Sequence, residues 1–302
     1  MNIDLHMHTT HSDGTDDVNT IIDKVHDAKI DIFSITDHDT AHSAREIFEN
    51  ESLKQKIKNY NLKYIVGTEF SCVFENKVKM HILAYDFDPF APEVRFLEDE
   101  LAKLLKEKDD ARMKYIEDAG YVFSKKSLEF LKSRENVRKL DLANCLVNDG
   151  YFKDLEDAIQ NFLEHFKKPK IYRLDAKIVV ETLSKIGAKM VWAHPIHGIN
   201  EKPISFEEVE RVAGSLKHYG LAGLECNYCL YNKEEIEKLK GIATKLDLFT
   251  SAGSDYHGKN KKVSLLEVSA DGTPIDFSNS IINAKFNYMI GWVWALKELE
   301  II

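Results

Sequence analysis

The sequence predicts an α/β fold with a parallel sheet, and three observations lead to this prediction. Short apolar runs alternate with longer amphipathic stretches, as in successive βα units. Seven of the apolar runs carry a histidine or an acidic residue at or near their C-terminal end, where (β/α) barrels place their functional residues. The chain has 302 residues and is 44% hydrophobic, which suits a single barrel of roughly 250 residues with one added segment.

The apolar runs define seven predicted strands. In chain order they are Ile3–His8, Asp31–Thr36, Lys63–Thr68, Lys79–Tyr85, Lys189–Ala193, Leu221–Cys226 and Leu248–Ala252. Helical periodicity is present between several of these strands, for example over Asp17–Ala28, Ala176–Ile186 and Asn232–Leu246.

The segment from 92 to 170 has a different pattern and is predicted to be an α-helical insertion. It has almost no β-type runs and is rich in Lys, Glu and Leu. One helix is expected to end at Gly150, because glycine commonly terminates helices, and another is expected over 154–166. The barrel would then comprise residues 1–91 and 171–302. The insertion is either a lid that binds substrate or a stabilising subdomain, and the sequence leaves both interpretations open.

The composition excludes several classes of protein. A formal net charge of −9 argues against a general binder of nucleic acid or anionic membranes. No apolar run approaches the roughly 18 residues needed to span a bilayer. No signal peptide is visible at the N-terminus, so we expect a cytoplasmic protein that forms no stable complex with nucleic acid.

The polar residues at the strand ends form recurring motifs. His6 and His8 lie two residues apart on a strand and therefore point to the same side. Singly, such residues have ordinary interpretations as core histidines, turn residues or hydrogen-bond acceptors. Jointly they indicate metal binding, because buried strands would otherwise end repeatedly in costly polar groups. The motifs are Ser12-Asp13-Gly14, Thr36-Asp37-His38-Asp39, Gly67-x-Glu69, His81, Ala193-His194-Pro195, Leu224-Glu225 and Gly253-Ser254-Asp255-x-His257.

Nine residues are predicted metal ligands, which is too many for one ion. Three divalent ions with three or four protein ligands each would use all nine. Mixed histidine and carboxylate ligation suits Mn, Fe or Zn. The nine are His6, His8, Asp13, His38, Glu69, His81, His194, Asp255 and His257.

Apart from His81 and Leu224-Glu225, these motifs together with His6-x-His8 resemble the PHP (polymerase and histidinol phosphatase) superfamily. The resemblance implies a distorted seven-stranded (β/α) barrel with a trinuclear metal centre. The helical insertion resembles the branch that acts on nucleoside 3′,5′-bisphosphates and on 5′ ends of short RNA. By this resemblance the ions would be held by three sets of ligands that share a bridging Glu69: His6, His8, Glu69 and Asp255; Glu69, His81 and His194; Asp13, His38 and His257.

The resemblance also implies the chemistry, which is hydrolysis of a small phosphorylated substrate by metal-activated hydroxide. His194 would act in catalysis through the metal, and Asp37 or His197 would be the general acid. Arg134, Arg138 and His197 are expected to bind substrate. This chain departs from the branch in two places: it has Val137 and Arg138 where an Arg-His pair is common, and His197 where an arginine is common.

Three other functions stay open. One is a phosphatase of a non-nucleotide monoester such as histidinol phosphate. Another is an amidohydrolase-like hydrolase, since such enzymes also open with His-x-His. The third is a non-catalytic, metal-bound regulatory module.

The pair Cys226-x-x-Cys229 is expected to have no function, because a structural zinc site needs four ligands and no second cysteine pair is present.

Overall fold

The computed structural model describes residues 1–134, 137, 139–167, 172–197, 203–287 and 289–290. The chain forms two compact units with a mixed α/β architecture. The first comprises Met1–Asp99 with Leu174–Ile302, and the second is Glu100–Arg173. The predicted insertion boundaries at 92 and 170 stay a prediction.

The strands form two sheets in the first unit. The four-stranded sheet has the order β1-β2-β3-β10, and the six-stranded sheet has the order β6-β4-β5-β7-β8-β9. The strands are β1 (Ile3–Asp4), β2 (Ile32–Phe33), β3 (Lys63–Ile65), β4 (Gly67–Phe74), β5 (Val78–Tyr85), β6 (Leu174–Asp175), β7 (Lys189–Ala193), β8 (Leu221–Tyr228), β9 (Phe249–Gly253) and β10 (Met289–Ile290).

The prediction of one strand over Lys63–Thr68 is wrong, because the chain changes sheets at Val66. Glu69 therefore lies within β4 and not after a strand. The prediction of a parallel sheet is also wrong in this region, since β5 pairs antiparallel with both β4 and β7. The physical reason is the short turn over 75–77 between β4 and β5, because a connection of this length permits only a hairpin.

Backbone hydrogen bonds join the two sheets. Leu5 N donates to Ala252 O at 3.0 Å, which places the residues after β1 beside β9. Glu69 N donates to Asp37 O at 3.1 Å, which places the residues after β2 beside β4. Strand ends from both sheets are thereby brought to the same region.

The observed helices confirm most of those predicted from helical periodicity in the sequence. Asp17 caps the first one, with its Oδ1 accepting from Thr20 N at 2.7 Å. The helix predicted to stop at Gly150 ends at Asn148, and Gly150 has a φ of 83°. The helices are α1 (Val18–Asp27), α2 (His42–Glu49), α3 (Glu51–Asn59), α4 (Pro92–Asp118), α5 (Lys125–Lys132), α6 (Lys139–Asn148), α7 (Leu155–Gln160), α8 (Ala176–Ser184), α9 (Phe206–Lys217) and α10 (Lys233–Lys245).

Each unit has its own hydrophobic core. In the first unit, Ile3, Leu83 and Val191 from three strands belong to one fully buried cluster. In the second, Ile116, Leu142 and further apolar residues pack together. Across the part of the chain with a described structure, no helix combines the length and apolar character needed to cross a membrane.

Candidate metal centre

The segment after β1 carries the first three predicted ligands. Its backbone pairs with the segment after β9: Asp255 N donates to His6 O and His8 N donates to Tyr256 O, both at 2.8 Å. The chain then turns back at Gly14, where a Cβ would lie only 2.3 Å from His8 O. Only glycine permits this close approach, which explains the glycine that follows Asp13.

Glu69 lies at the middle of the cluster and is fully buried. Five imidazoles surround its two carboxylate oxygens. The distances from these oxygens are 3.3 Å to His6 Nε2, 3.3 Å to His8 Nε2, 2.9 Å to His38 Nδ1, 3.1 Å to His81 Nδ1 and 3.4 Å to His194 Nε2. The predicted strand-end histidines therefore converge on one carboxylate.

Asp13 and Asp255 complete the cluster on the side of His257. His257 Nε2 lies 3.0 Å from Asp13 Oδ1, and Asp13 Oδ1 lies 3.8 Å from His38 Nε2. Asp255 Oδ1 lies 3.3 Å from His8 Nε2 and 3.6 Å from His6 Nε2. All nine predicted ligands are thus brought together.

Several buried polar atoms of this cluster have no hydrogen bond within the described part of the chain. They include His6 Nε2, His8 Nε2, His257 Nε2 and both carboxylate oxygens of Glu69. Buried polar groups are almost always hydrogen-bonded, so such a concentration of unsatisfied atoms requires an explanation. Imidazole nitrogens and carboxylate oxygens that face one another without hydrogen-bond geometry are the donor set of a metal site. The residues therefore fit divalent ions.

Three groups of these side chains have donor atoms within 4.8 Å of one another. The first two groups share most of their members with ligand sets that the resemblance implies. The third group combines Glu69 and His81 with His38, whereas the resemblance combines them with His194. The groups are His8, Asp13, His38 and His257; His6, His8 and Glu69; and His38, Glu69 and His81.

The electrostatics of the cluster keep its carboxylates ionised. Burial alone would raise the pKa of Glu69 and of Asp255, but neighbouring imidazoles led by His6 hold both pKa values well below the usual range. Burial would lower the pKa of His38, yet the charge of Glu69 outweighs it and raises that pKa to about 9. Burial and the nearby His257 and His38 keep the pKa of His8 well below its usual value. Ionised carboxylates and a neutral imidazole are the forms that bind metal.

Asp37 is buried and has both carboxylate oxygens in hydrogen bonds. Oδ1 accepts from Thr9 N at 2.7 Å and from Ser12 Oγ at 2.6 Å, and Oδ2 accepts from Thr9 Oγ1 at 2.8 Å and from Ser43 Oγ. Asp37 thereby fixes the loop that carries Asp13. These bonds describe a structural acceptor, whereas the sequence suggested a general acid.

The other predicted residues lie apart from this set of contacts. The backbone of His197 is bonded to the Tyr231 hydroxyl, and its ring lies 5.7 Å from that ring. Arg134 belongs to the second unit, where its Nε lies 3.7 Å from Asp141 Oδ1. Arg138 lies outside the described residues. None of the described contacts joins His197 or Arg134 to the cluster.

Sequence reasoning missed two residues that contact Asp255. The hydroxyl of Tyr228 donates to Asp255 Oδ2 at 3.0 Å, and Lys261 Nζ donates to the same oxygen at 2.7 Å. Tyr228 follows the predicted end of its strand by two residues, because β8 runs further than predicted. Nothing in the local sequence distinguishes Lys261 from a surface lysine.

Cys226 and Cys229 are buried and form no disulfide. Burial raises the pKa of both thiols, in the case of Cys229 to about 12. Both thiols are therefore protonated at neutral pH, whereas a metal-binding cysteine is a thiolate. The expectation that the pair has no function stays a prediction.

Comparison with known proteins gives consistent matches along the chain. The family model described as "PHP domain" matches residues 4–173. The chain is 26% identical to the 5′-3′ exoribonuclease of Haemophilus influenzae over 257 residues, which cover 84% of this chain and 89% of that protein. It is 25% identical to the phosphoribosyl 1,2-cyclic phosphate 1,2-diphosphodiesterase of Eggerthella lenta over 270 residues, covering 86% and 95%.

Two further matches agree with these. A 3′,5′-nucleoside bisphosphate phosphatase from Chromobacterium violaceum is 23% identical over 266 residues, covering 85% of this chain and 87% of that protein. The crystal structure of a candidate metal-dependent phosphoesterase from Bifidobacterium adolescentis has the same fold, with a TM-score of 0.69 at 23% identity, covering 90% of this chain and 93% of that one. The family model spans more than half of the 302 residues, and the chain therefore belongs to the PHP domain family.

Proposed function

We propose that this protein is a metal-dependent phosphoesterase that hydrolyses a nucleotide-type substrate. The observation that carries the proposal is the convergence of eight histidines and carboxylates around the buried Glu69, with donor atoms of His6, His8, His257 and Glu69 unsatisfied among the described residues. A hydrolase of phosphoric esters needs such a centre, because metal ions neutralise the charge that develops on the phosphate oxygens.

The nine side chains would hold three divalent ions, with Glu69 as the shared carboxylate. Mn, Fe or Zn suits this mixture of imidazole and carboxylate oxygen. Bound ions would supply Lewis-acid charge neutralisation and lower the pKa of a water molecule towards neutrality. The protein's own contribution is a rigid arrangement, since most ligands follow strands, Glu69 and His81 lie within the β4–β5 hairpin, and hydrogen bonds fix the loop that carries Asp13.

Residues around the centre are assigned roles by their contacts. Asp37 positions the loop that carries Asp13, so His197 is the better candidate for the proton donor to the leaving group. His197 is part-buried, and its backbone is held by Tyr231. Arg134, whose side chain is 43% exposed, and Arg138 are proposed to bind a second phosphate of the substrate. An arginine suits this role because its planar fork matches phosphate geometry.

The class of substrate is inferred from the relatives. Their names describe an exoribonuclease, a nucleoside bisphosphate phosphatase and a cyclic phosphate diesterase, and all three act on phosphoesters of ribose-containing molecules. The formal net charge of −9 supports a small or short substrate, because long nucleic acid needs a basic surface. We therefore propose a nucleoside 3′,5′-bisphosphate or a short oligonucleotide.

We also propose that the two sheets close into a distorted barrel, with residues 92–170 as a substrate-binding lid. The bond Leu5 N to Ala252 O supports closure, because it joins the segment after the edge strand β1 to the edge strand β9, and Glu69 N to Asp37 O is a second bond, between β4 and the segment after β2. A cytoplasmic location is likewise a proposal.

The test is a substrate panel with the purified, Mn-loaded protein. The panel contains nucleoside 3′,5′-bisphosphates, nucleoside monophosphates, short 5′-phosphorylated RNA, histidinol phosphate and a set of simple amides. Release of phosphate or of mononucleotides from the ribose-containing substrates is expected, and chelation of the metal should abolish it.

The matched variants are Glu69→Gln and Glu75→Gln, which change a buried ligand and an exposed turn residue of the same hairpin. Only Glu69→Gln should lose activity. Cleavage of amides alone would indicate an amidohydrolase, and activity confined to histidinol phosphate would overturn the nucleotide assignment. A metal-loaded protein that cleaves nothing in the panel would contradict the enzymatic proposal itself.

A further inference from the structure

Glu225 is a fully buried carboxylate in β8 that contacts two predicted ligands at once. Its Oε1 lies 3.0 Å from His6 Nδ1, and its Oε2 accepts a hydrogen bond from His194 N at 2.7 Å. His6 follows β1 and His194 follows β7. One side chain therefore joins two strand ends that belong to different sheets.

The contact with His6 determines which ring nitrogen faces the cluster. A carboxylate only accepts hydrogen bonds, so the proton of a neutral His6 must lie on Nδ1. The lone pair is then on Nε2, which is directed at Glu69 Oε1 at 3.3 Å and at Asp255 Oδ1 at 3.6 Å. Metal-binding histidines are commonly oriented by a carboxylate in this way.

The hydrogen bond from His194 N to Glu225 stabilises an unfavourable backbone conformation at His194. His194 has a φ of 31°, in the left-handed region that non-glycine residues rarely adopt. Its N–H is directed at Glu225, while its ring places Nε2 3.4 Å from Glu69 Oε1. The hydrogen bond to Glu225 therefore compensates for strain at a residue that must point into the cluster.

The neighbouring strand leaves space for this arrangement. A Cβ at Gly253 in β9 would lie 2.1 Å from His6 Cβ and 2.7 Å from Glu225 Oε1. Any larger residue would push the carboxylate and the imidazole apart. The glycine of the motif Gly253-Ser254-Asp255 is thus required by the contact between Glu225 and His6.

We propose that Glu225 is a positioning residue that sets the ring orientation of His6 and the backbone of His194, and thereby the metal affinity of the whole centre. Within the described residues its carboxylate bonds to His6 and His194, and it acts through these two histidines. The inference rests on the proposed metal centre and goes beyond it, because it assigns a function to a residue outside the nine ligands.

The test is the metal affinity of Glu225→Gln, measured by competition with a chelator. The amide NH2 of glutamine must face one of the two N–H donors, so one of the two contacts is lost. Binding of Zn or Mn is expected to weaken by about 10–100-fold. Glu98→Gln is the matched control, because Glu98 is a largely buried carboxylate paired with Arg45, and it should keep the wild-type affinity.

A second measurement uses the unaltered protein and does not depend on how the variant folds. In the Zn-loaded wild type, nitrogen NMR of the imidazoles should show His6 with a proton on Nδ1 and metal on Nε2. A His6 without this proton, or wild-type affinity in a folded Glu225→Gln protein, would overturn the positioning role alone. Failure of the wild type to bind any metal would instead refute the metal centre, and the positioning role with it.

Discussion

At the scale of single residues, the charge of Glu69 decides the character of the centre. Its carboxylate is fully buried and has five histidines within 3.4 Å. Without a positive partner, a buried carboxylate would take up a proton. The imidazoles instead hold the pKa of Glu69 well below its usual value, so the carboxylate is in the ionised form that binds metal.

We expect Glu69→Gln to lose phosphate release by at least about 100-fold. The amide keeps the volume but removes the charge, and loss of a ligand should exceed the ~10–100-fold effect of losing an outer hydrogen-bond partner. Elemental analysis of the variant should show fewer bound ions than in the wild type. A variant that retains full metal content and activity would remove Glu69 from the centre.

At the scale of elements, helices could be predicted from the sequence, whereas the hairpin of β4 and β5 could not. Several helices were predictable because they carry a local signal, such as Asp17 before α1 or Gly150 after α6. The hairpin was not, because short apolar runs do not distinguish parallel from antiparallel pairing. In this antiparallel hairpin, His81 of β5 lies opposite Ser71 of β4. Ser71 is two residues after Glu69 in the same strand.

Helix α10 offers a test of stability that is independent of the metal centre. Asn232 Oδ1 accepts from Glu235 N at 3.1 Å, and Glu235 Oε2 accepts from Asn232 N at 2.9 Å, which forms a capping box. Asn232→Ala should lower the free energy of unfolding by about 1 kcal/mol, as measured by urea denaturation.

Phosphoesterase activity should be unchanged in this variant, because the cap contacts no predicted ligand. Lys233→Ala, at the next and exposed position of the same helix, is the control and should leave stability nearly unaltered. Equal destabilisation by both substitutions would show that the capping box contributes nothing specific.

The candidate site was more predictable than the strand pairing. The nine predicted ligands could be named from the sequence because histidines and carboxylates at the ends of apolar runs are costly to bury unless they share a function. Glu225 suggested no more than a hydrogen-bond acceptor, and Tyr228 and Lys261 gave no signal, since their roles depend on which side chains tertiary packing places beside them. The roles expected of Arg134 and His197 stay predictions.

At the scale of the whole molecule, the centre links stability to metal and to pH. In the metal-free protein, burial would lower the pKa of His38, but the charge of Glu69 raises it to about 9, above the ordinary 6.5. The pKa values of His6 and His194 are raised as well, against burial, chiefly by Glu69. Protonated histidines therefore take the place of cations when metal is absent.

We expect the metal-free protein to lose thermal stability as the pH rises from 6.5 to about 9. A group whose pKa is raised on folding contributes stability that is complete below its unfolded pKa and is lost as the pH passes its folded pKa. Melting temperatures of the chelator-treated protein across this range would measure the loss.

The metal-loaded protein is the control for this experiment. Its melting temperature should be higher throughout, because a ligand that binds only the folded state stabilises it. It should also vary less with pH in this window, since bound ions need no proton on the histidines. A metal-free protein whose stability rises with pH would show that imidazolium groups do not compensate the buried carboxylates.

The contact between the segment after β1 and the segment after β9 has a consequence for biosynthesis. His6 O accepts from Asp255 N, and His8 N donates to Tyr256 O. These hydrogen bonds can form only after residues nearly 250 positions later have been synthesised. A nascent chain cannot complete the centre until His257 has left the ribosome. Hydrolytic activity would thus arise only in chains extended beyond His257, and termination before this residue would yield fragments that cannot cleave phosphoesters.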